Sequence, residues 1–517
     1  MASQMRRRLA SLALGLAVVT SACAAPTTAG PASAGADGAS TKDTIVIAQG
    51  TDAISLDPMK HTTFTTQSVL WHIYEPLVTR DATGTYRGVL ATEWKTLNDT
   101  TWQFKLRANV KFQNGDPFTA DDVKFTFDRA LDPATKNPTR ANLTAIKRVD
   151  VIDPLTVNFV TDGPYPLLLY RLTEVSDSSV IIPAKYLKDK GDDILTKQPI
   201  GTGPYTFVSW KKDERLELAA NPDYWGAKPK IKHAIFRPIP EAAARIAELK
   251  SGGVDLIVNV PPEQVPSLDS GATKVDTVAS DFIMMVVFNT LEPGPLQNRQ
   301  VRQAINYAID VDAIVKGVMG GFPQRISVSL AREAFGYPKS IQPYPYDPAK
   351  AKQMLADAGF PNGFKVPFIS RSGRYLKDRE VVEAIAGYLS KVGVQTDLQF
   401  VEPGVWSDIS NKHGRSGLSY PGWSGPDAEL VWYNVLFTGQ LQSYYSNKDL
   451  DAQLTAGRTT LDDAKRLDAY AKAAQIIKDD APHLPLFQIP LLYGRNQKLV
   501  WTARGDEIID LRTATFR

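Results

Sequence analysis

WKTLNDTTWQFKLRANVKFQNGDPFTADDVKFTFDRALDP, residues 94 to 133, carries the signals that decide the fold. Trp102, Phe104 and Leu106 alternate with Gln103, Lys105 and Arg107, the period-2 pattern of a half-buried strand. Val110 and Phe112 continue it until Asn114-Gly115-Asp116-Pro117 breaks it, because glycine permits positive φ and proline fixes φ and removes a donor. A turn is expected there. Thr119 followed three residues later by Asp122 resembles a capping box, and Val123, Phe127 and Leu131 recur at helical spacing, so a helix should start near Asp121.

Outward from this block, strand and helix signals alternate along the chain, which implies α/β architecture. Val301, Ile305, Ala308 and Ile309 follow a 3.6-residue period. A second helix is bracketed by Asp347 as N-cap, Pro348 in the first turn and Gly359 as stop. A third should run from about Asp378 to Lys391, followed by an alternating strand from Val394 to Phe400. Two apolar runs, Phe282 to Asn289 and Leu484 to Ile489, read as buried strands. On pattern alone they suit ordinary core strands.

Length and composition bound the rest. At 517 residues the chain exceeds one ordinary core, so two or more domains are expected. Lys plus Arg total 59 against 56 for Asp plus Glu, and Arg6, Arg7 and Arg8 account for the difference. Without them the folded part is balanced, and a nucleic-acid partner has no electrostatic basis. Those arginines, the apolar run from Leu9 to Val19 and Ser21-Ala22 before the single cysteine, Cys23, form a secretory signal. The apolar run is too short to span a bilayer core of about 30 Å. The leader resembles a lipoprotein signal in which Cys23 is acylated; an ordinary secreted protein, or a twin-arginine leader, is the alternative. Residues 24 to 41 are rich in Ala, Gly, Ser, Thr and Pro, the composition of a flexible tether. One cysteine makes no disulfide within the chain, so apolar cores must hold the fold.

Catalytic constellations are absent. His61, His72, His233, His413 and His483 are scattered without zinc-site spacing, and no metal or cofactor is expected. Gly422-Trp423-Ser424-Gly425-Pro426 has Pro where a GxSxG nucleophile elbow needs Gly. Asp121-Asp122, Asp462-Asp463 and Asp479-Asp480 read as caps or exposed faces. A secreted hydrolase would want a cleft carboxylate pair roughly 5 to 9.5 Å apart, and the sequence offers none in context.

The opening block resembles the signature of the family 5 extracellular solute-binding proteins, receptors that deliver peptides, nickel complexes and other solutes to ABC importers. The likeness extends through Thr51-Asp52-Ala53-Ile54-Ser55-Leu56-Asp57-Pro58, Ile73-Tyr74-Glu75-Pro76-Leu77, Gly201-Thr202-Gly203-Pro204-Tyr205, Asn221-Pro222-Asp223-Tyr224-Trp225, Val301-Arg302-Gln303-Ala304, Tyr307-Ala308-Ile309-Asp310 and Tyr346-Asp347-Pro348 leading to Ala358-Gly359-Phe360. Their order matches the family over roughly residues 44 to 510. The resemblance implies a periplasmic-binding-protein-like α/β fold of the class II, cluster C type: two lobes joined by a two-strand hinge, with an extra subdomain in the first. In this frame residues 1–22 are the signal peptide and 23–43 the tether. Lobe I takes 44–84, its outer subdomain 85–189, its second part 190–285 and a return segment 485–517, while 286–484 form lobe II.

The resemblance also implies a function and a site. The expected protein is a monomeric receptor, not an enzyme, anchored outside the cytoplasmic membrane (or free in the periplasm) and closing over an oligopeptide or peptide-like solute for an ABC permease. An oligosaccharide, opine or metal chelate is the alternative cargo. In peptide-binding members the Trp equivalent to Trp423 lines the pocket and an Asp three positions on holds the peptide ammonium; here that position is Pro426, and Asp427 follows. Thr51, Asp52 and Ala53 match the segment whose main chain runs beside the peptide. Tyr420, Asn289 and the planar donors Arg371 and Arg374 complete the candidate ligand set, and Trp406 lies nearby.

Overall fold

The computed structural model describes residues 42–517 except 82, 83, 177 and 372. Cys23, the leader and nearly all of the tether lie outside the described residues.

In the opening block, strands Ala91–Asn98 and Thr101–Leu106 pair antiparallel, and Thr156–Thr161 and Ile146–Asp153 extend them into a four-stranded sheet. Phe104 and Leu106 are buried while Lys105 is exposed, as the alternation requires. Gly115 takes φ +88° in the turn. The helix is Ala120–Leu131, and the Asp122 carboxylate accepts the Thr119 N–H at 2.9 Å. Its other oxygen accepts the Ala184 N–H at 2.9 Å, so one cap residue also docks the following helix, Ala184–Lys190. Phe127 meets Phe159 edge-on at 4.9 Å, and Phe159 meets Phe104 at 5.3 Å, closing the helix on the sheet.

The main sheet runs in the order 394–401, 364–371, 418–420, 273–288, 483–496, 256–257, 44–49, 233–238, 215–220, 205–211. Strand Phe364–Arg371 is parallel to Val394–Val401 and Leu418–Tyr420. At the other end Thr44–Gln49 is parallel to His233–Pro238 and Leu256–Ile257. The antiparallel strands Thr273–Phe288 and His483–Asn496 join the two halves. Both are longer than their apolar runs, because residues 273–281 of one and 490–496 of the other mix polar and apolar side chains. Val275 and Leu492 belong to the apolar core around Leu249 and Ile257. Beyond residue 282 the strand feeds two other cores: Met284, Val286 and Phe288 enter one, and Ile283, Met285 and Val287 the other. Period-2 alternation thus wedges this part of the strand between two further apolar cores.

Three of the sequence motifs converge on buried Glu75. Its carboxylate accepts from Tyr224 Oη at 2.7 Å, Trp225 Nε1 at 2.8 Å and Thr202 Oγ1 at 2.8 Å. Burial raises its pKa, and the donors with nearby Arg512 oppose that rise. Gly203 is required by close approach: a Cβ there would meet the His72 carbonyl oxygen at 2.4 Å. Asp57 is likewise structural, accepting a bidentate pair from buried Arg129 at 2.7 and 3.1 Å.

Candidate functional site: a cleft across the two long strands

The site begins with a break in the strand pairing. Register shifts between Ala279 and Ile283, and this bulge brings Ser280, Asp281 and Phe282 to the walls of neighbouring cavities. Ser280 Oγ donates to the Ile489 carbonyl at 2.5 Å and accepts the Phe282 N–H at 3.0 Å, which fixes the bulge. Gln488 donates to the Ser280 carbonyl at 2.5 Å and to Glu333 at 2.6 Å. The loop at Arg504 to Glu507 lies directly against this bulge, since a Cβ on Gly505 would meet the Ala279 carbonyl oxygen at 2.1 Å.

Several cavities open on this seam. One of about 410 Å³ is lined by Ser280, Phe282, Arg374, Tyr375, Pro490 and Glu507, among others. A second, of about 230 Å³, shares Arg374 and Glu507 and adds Gly50 and Thr51. A third, of about 240 Å³, takes in Arg80, Asp281, Glu333, Arg504 and Asp506. A fourth, of about 370 Å³, lies between Tyr86, Trp102 and Tyr170 on one side and Phe335, Asp427 and Arg466 on the other. Their combined character is aromatic walls with both signs of charge, the mixture small-solute sites use.

The charges differ in how far they are already committed. Arg504 pairs with Asp506 and, at 2.5 Å, with Glu174. Among the described residues Asp281 pairs with Arg80 alone, at 3.8 Å. Burial lifts its carboxyl to about 6, opposed by Arg80 and reinforced by Asp506 and Glu333. Glu507 is also pushed up by burial, with Arg374 opposing. Arg374 and Glu507, far apart in sequence, face the same two cavities.

The structure distributes the sequence-derived candidates unevenly. Thr51 and Arg374 line the cleft. Asp52 is occupied by Trp210 Nε1 at 3.0 Å and the Asp213 N–H at 2.8 Å, and Ala53 is buried with its carbonyl accepting from Lys212 at 2.8 Å. Asn289 bonds the Arg415 carbonyl at 2.8 Å. The Gly- and Pro-bearing segment from Ser419 to Glu429, whose composition suggests a loop, takes part in two short strands, Leu418–Tyr420 and Gly422–Ser424, because both pair with Thr273–Phe288. Trp423 therefore sits opposite Ile283, packs against the second-lobe core and donates Nε1 to the Leu430 carbonyl at 3.1 Å. Its neighbours Ser424, Gly425 and Pro426 reach the cleft. Asp427 lines the fourth cavity but accepts from Arg466 Nη2 at 2.7 Å and from the Glu429 N–H at 2.9 Å. Tyr420 is wholly buried, and Arg371 lies behind Tyr375, donating to its hydroxyl.

Asp281, Glu507 and the 503–507 loop were not among the sequence candidates. A signal for Asp281 existed: Ser280-Asp281 is a polar break at the start of an apolar run. For Glu507 there was none, since its place depends on the C-terminal segment returning to the bulge.

Among the described residues, no group of three or more His, Cys, Asp or Glu side chains is placed to hold a metal. No described helix is long and apolar enough to cross a membrane.

Comparison with known proteins agrees with this architecture. The profile of the bacterial extracellular solute-binding proteins, family 5, matches residues 85–444. The glutathione-binding protein GsiB of Escherichia coli K12 is 30% identical over 474 residues, covering 88% of this chain and 91% of GsiB. The periplasmic binding protein DppA of Helicobacter pylori, solved with the peptide STSA, is 27% identical and superposes with a TM-score of 0.75 over 92% of this chain and 98% of DppA. CtaP of Listeria monocytogenes, at 24% identity, shares the fold with a TM-score of 0.83 over 92% of this chain and 99% of CtaP. The chain belongs to the family 5 extracellular solute-binding proteins.

Proposed function

We propose that the protein is the capture receptor of an ABC importer, and that its cargo is a zwitterionic peptide or peptide-like solute held between the two lobes. One observation carries the choice of cargo: Arg374 and Glu507 face common cavities from opposite lobes. A peptide carboxylate pairs with the Arg374 guanidinium, and its ammonium with Glu507 and Asp281 at the bulge. Burying an ammonium in a closed cleft demands such a counter-charge. Asp427, already paired with Arg466, supplies none. Binding glutathione, as GsiB is named for, or a short peptide, as DppA was solved with, is consistent with this assignment. Nothing is transformed; lobe closure about strands 273–288 and 483–496 delivers the solute to the permease. The lobe boundaries proposed are 44–285 with 485–517 for the first lobe, its outer subdomain at 85–189, and 286–484 for the second.

Cys23 is the proposed lipid anchor at the outer face of the cytoplasmic membrane. Residues 24 to 41 are the tether that lets a monomer reach its permease. Isothermal titration with glutathione and di- to pentapeptides against a panel of oligosaccharides tests the cargo. Saturable peptide heat is expected; a sugar isotherm without peptide binding would overturn it.

A further inference from the structure

Arg374 reaches its two cavities from the stretch of chain between strand Phe364–Arg371 and helix Asp378–Lys391. Neither strand nor helix fixes the main chain there, and Gly373 at φ +71° and Lys377 at φ +56° both take the left-handed conformation. A guanidinium on such a stretch recognises a solute well only when the backbone that carries it is held. Asp378, the first residue of the helix and 5% exposed, holds it. One carboxylate oxygen accepts the Arg374 N–H at 2.9 Å and the Tyr375 N–H at 3.2 Å, while the other accepts the Arg379 N–H at 2.8 Å.

Direction separates this from ordinary capping. A capping side chain accepts N–H groups of the first turn of its own helix. Asp378 does so through Arg379, but its second oxygen reaches backward, out of the helix, to two consecutive residues that line the 410 Å³ cavity. Left-handed Lys377 stands between them and turns the chain between these donors and their acceptor. The neighbour of Arg374 is tied a second time. Tyr375 Oη accepts the Gly422 N–H at 3.0 Å, and its ring centroid lies 5.7 Å from that of Phe282 at the bulge. Hydrogen bonds to an ionised acceptor are about twice as strong as neutral ones, so the carboxylate is the firmer of the two ties. Asp378 itself lines neither of the cavities that Arg374 faces.

We propose that Asp378 is a positioning residue of the cleft: it sets the Arg374 guanidinium for the solute carboxylate without touching the solute. The inference rests on Arg374 being the carboxylate contact. With the tie removed, Arg374 and its backbone must be ordered during binding, and that cost falls on the end of the solute that Arg374 meets and on no other.

Titration calorimetry with a free-acid peptide and its C-terminal amide provides the test, on the wild type, Arg374→Ala, Asp378→Ala and the double variant. Asp378→Ala should weaken the acid about tenfold and leave the amide near its wild-type affinity. The double variant should bind the acid no more weakly than Arg374→Ala, because the carboxylate acts through the guanidinium. A merely structural role would weaken acid and amide alike, or lower the thermal midpoint with both affinities intact; either result overturns the proposal. Should Asp378→Ala fail to fold, Asp378→Ser keeps a short acceptor for the helix start and takes its place, with the same narrowing of the acid–amide ratio expected and an unchanged ratio overturning it. Amide hydrogen exchange reads the tie without peptide. The Arg374 and Tyr375 N–H groups should lose protection in the Asp378 variant while those near Leu389, at the far end of the helix, keep it; unchanged protection at Arg374 and Tyr375 overturns the proposal. If Arg374→Ala binds acid and amide as the wild type does, the assignment of Arg374 has failed and the inference falls with it. An effect of Arg374→Ala without one of the Asp378 variant overturns the inference alone.

Discussion

Asp427 and Arg466 form a buried ion pair at 2.7 Å in the wall of the cleft, the aspartate 11% and the arginine 4% exposed. Arg466 also donates to the Gly457 carbonyl at 3.1 Å and stacks on Phe335 at 4.4 Å, so Asp427 closes a structural network. Removing one partner of such a pair strands the other. Asp427→Ala should lower the unfolding free energy by about 3–5 kcal/mol, measured by urea denaturation, with the solute dissociation constant unchanged. Adding Arg466→Met should recover most of the loss. A variant that stays stable but loses solute affinity would restore Asp427 as a ligand contact.

Asp281 makes stability depend on pH in a defined direction. Its carboxyl is lifted from an ordinary 3.8 to about 6 where it faces Arg80, Asp506 and Glu333. The folded protein therefore holds this proton more tightly than the unfolded chain does. The resulting stabilisation is complete below pH about 4 and is lost as pH rises through about 6. Relative to Asp281→Asn, the wild type should lose on the order of 1–3 kcal/mol across that window, solvent at the cleft reducing the effect. Denaturant titrations of both proteins from pH 4 to 7 would show parallel curves if the idea is wrong.

How far the sequence could be read depends on whether an interaction is local. Thr119, Asp122, Val123 and Phe127 announce their helix because cap and apolar stripe lie within one segment, and Pro348 with Gly359 does the same for helix Pro348–Asp357. The cleft is legible only in part. Arg374 and Thr51 reach it, but Trp423, in a segment that reads as a loop, pairs as a strand because residues 282 to 284, far off in sequence, offer it an edge. Asp427 likewise depends on Arg466 of the distant helix Asp463–Asp480, and Glu507 on a C-terminal return past Ala279. Such pairings carry no local periodicity, so a lone sequence does not display them.

Glu75 explains why three separated motifs occur in one chain. Glu75→Gln keeps the shape but turns one acceptor oxygen into a donor facing Tyr224, Trp225 and Thr202. A loss of roughly 1–3 kcal/mol is expected from the buried donors left unmatched. Calorimetric unfolding should register it while solute titration is unaffected, since none of these four residues lines the cavities at the bulge.

Arg374 and Glu507 should separate the two ends of the solute. Both line the 410 Å³ cavity and carry opposite charge, so each variant should damage one end only. A charge-assisted hydrogen bond contributes about 1.5–3 kcal/mol, so Arg374→Ala should weaken a free-acid peptide by roughly 10- to 100-fold and leave its C-terminal amide near the wild-type value. Glu507→Gln should do the reverse, narrowing the gap between a peptide and its N-acetyl form. Titration calorimetry of the peptide, its amide and its N-acetyl form on the three proteins supplies the comparison. If Arg374→Ala binds acid and amide as the wild type does, the carboxylate sits elsewhere, and the zwitterion orientation proposed for the cleft fails with it.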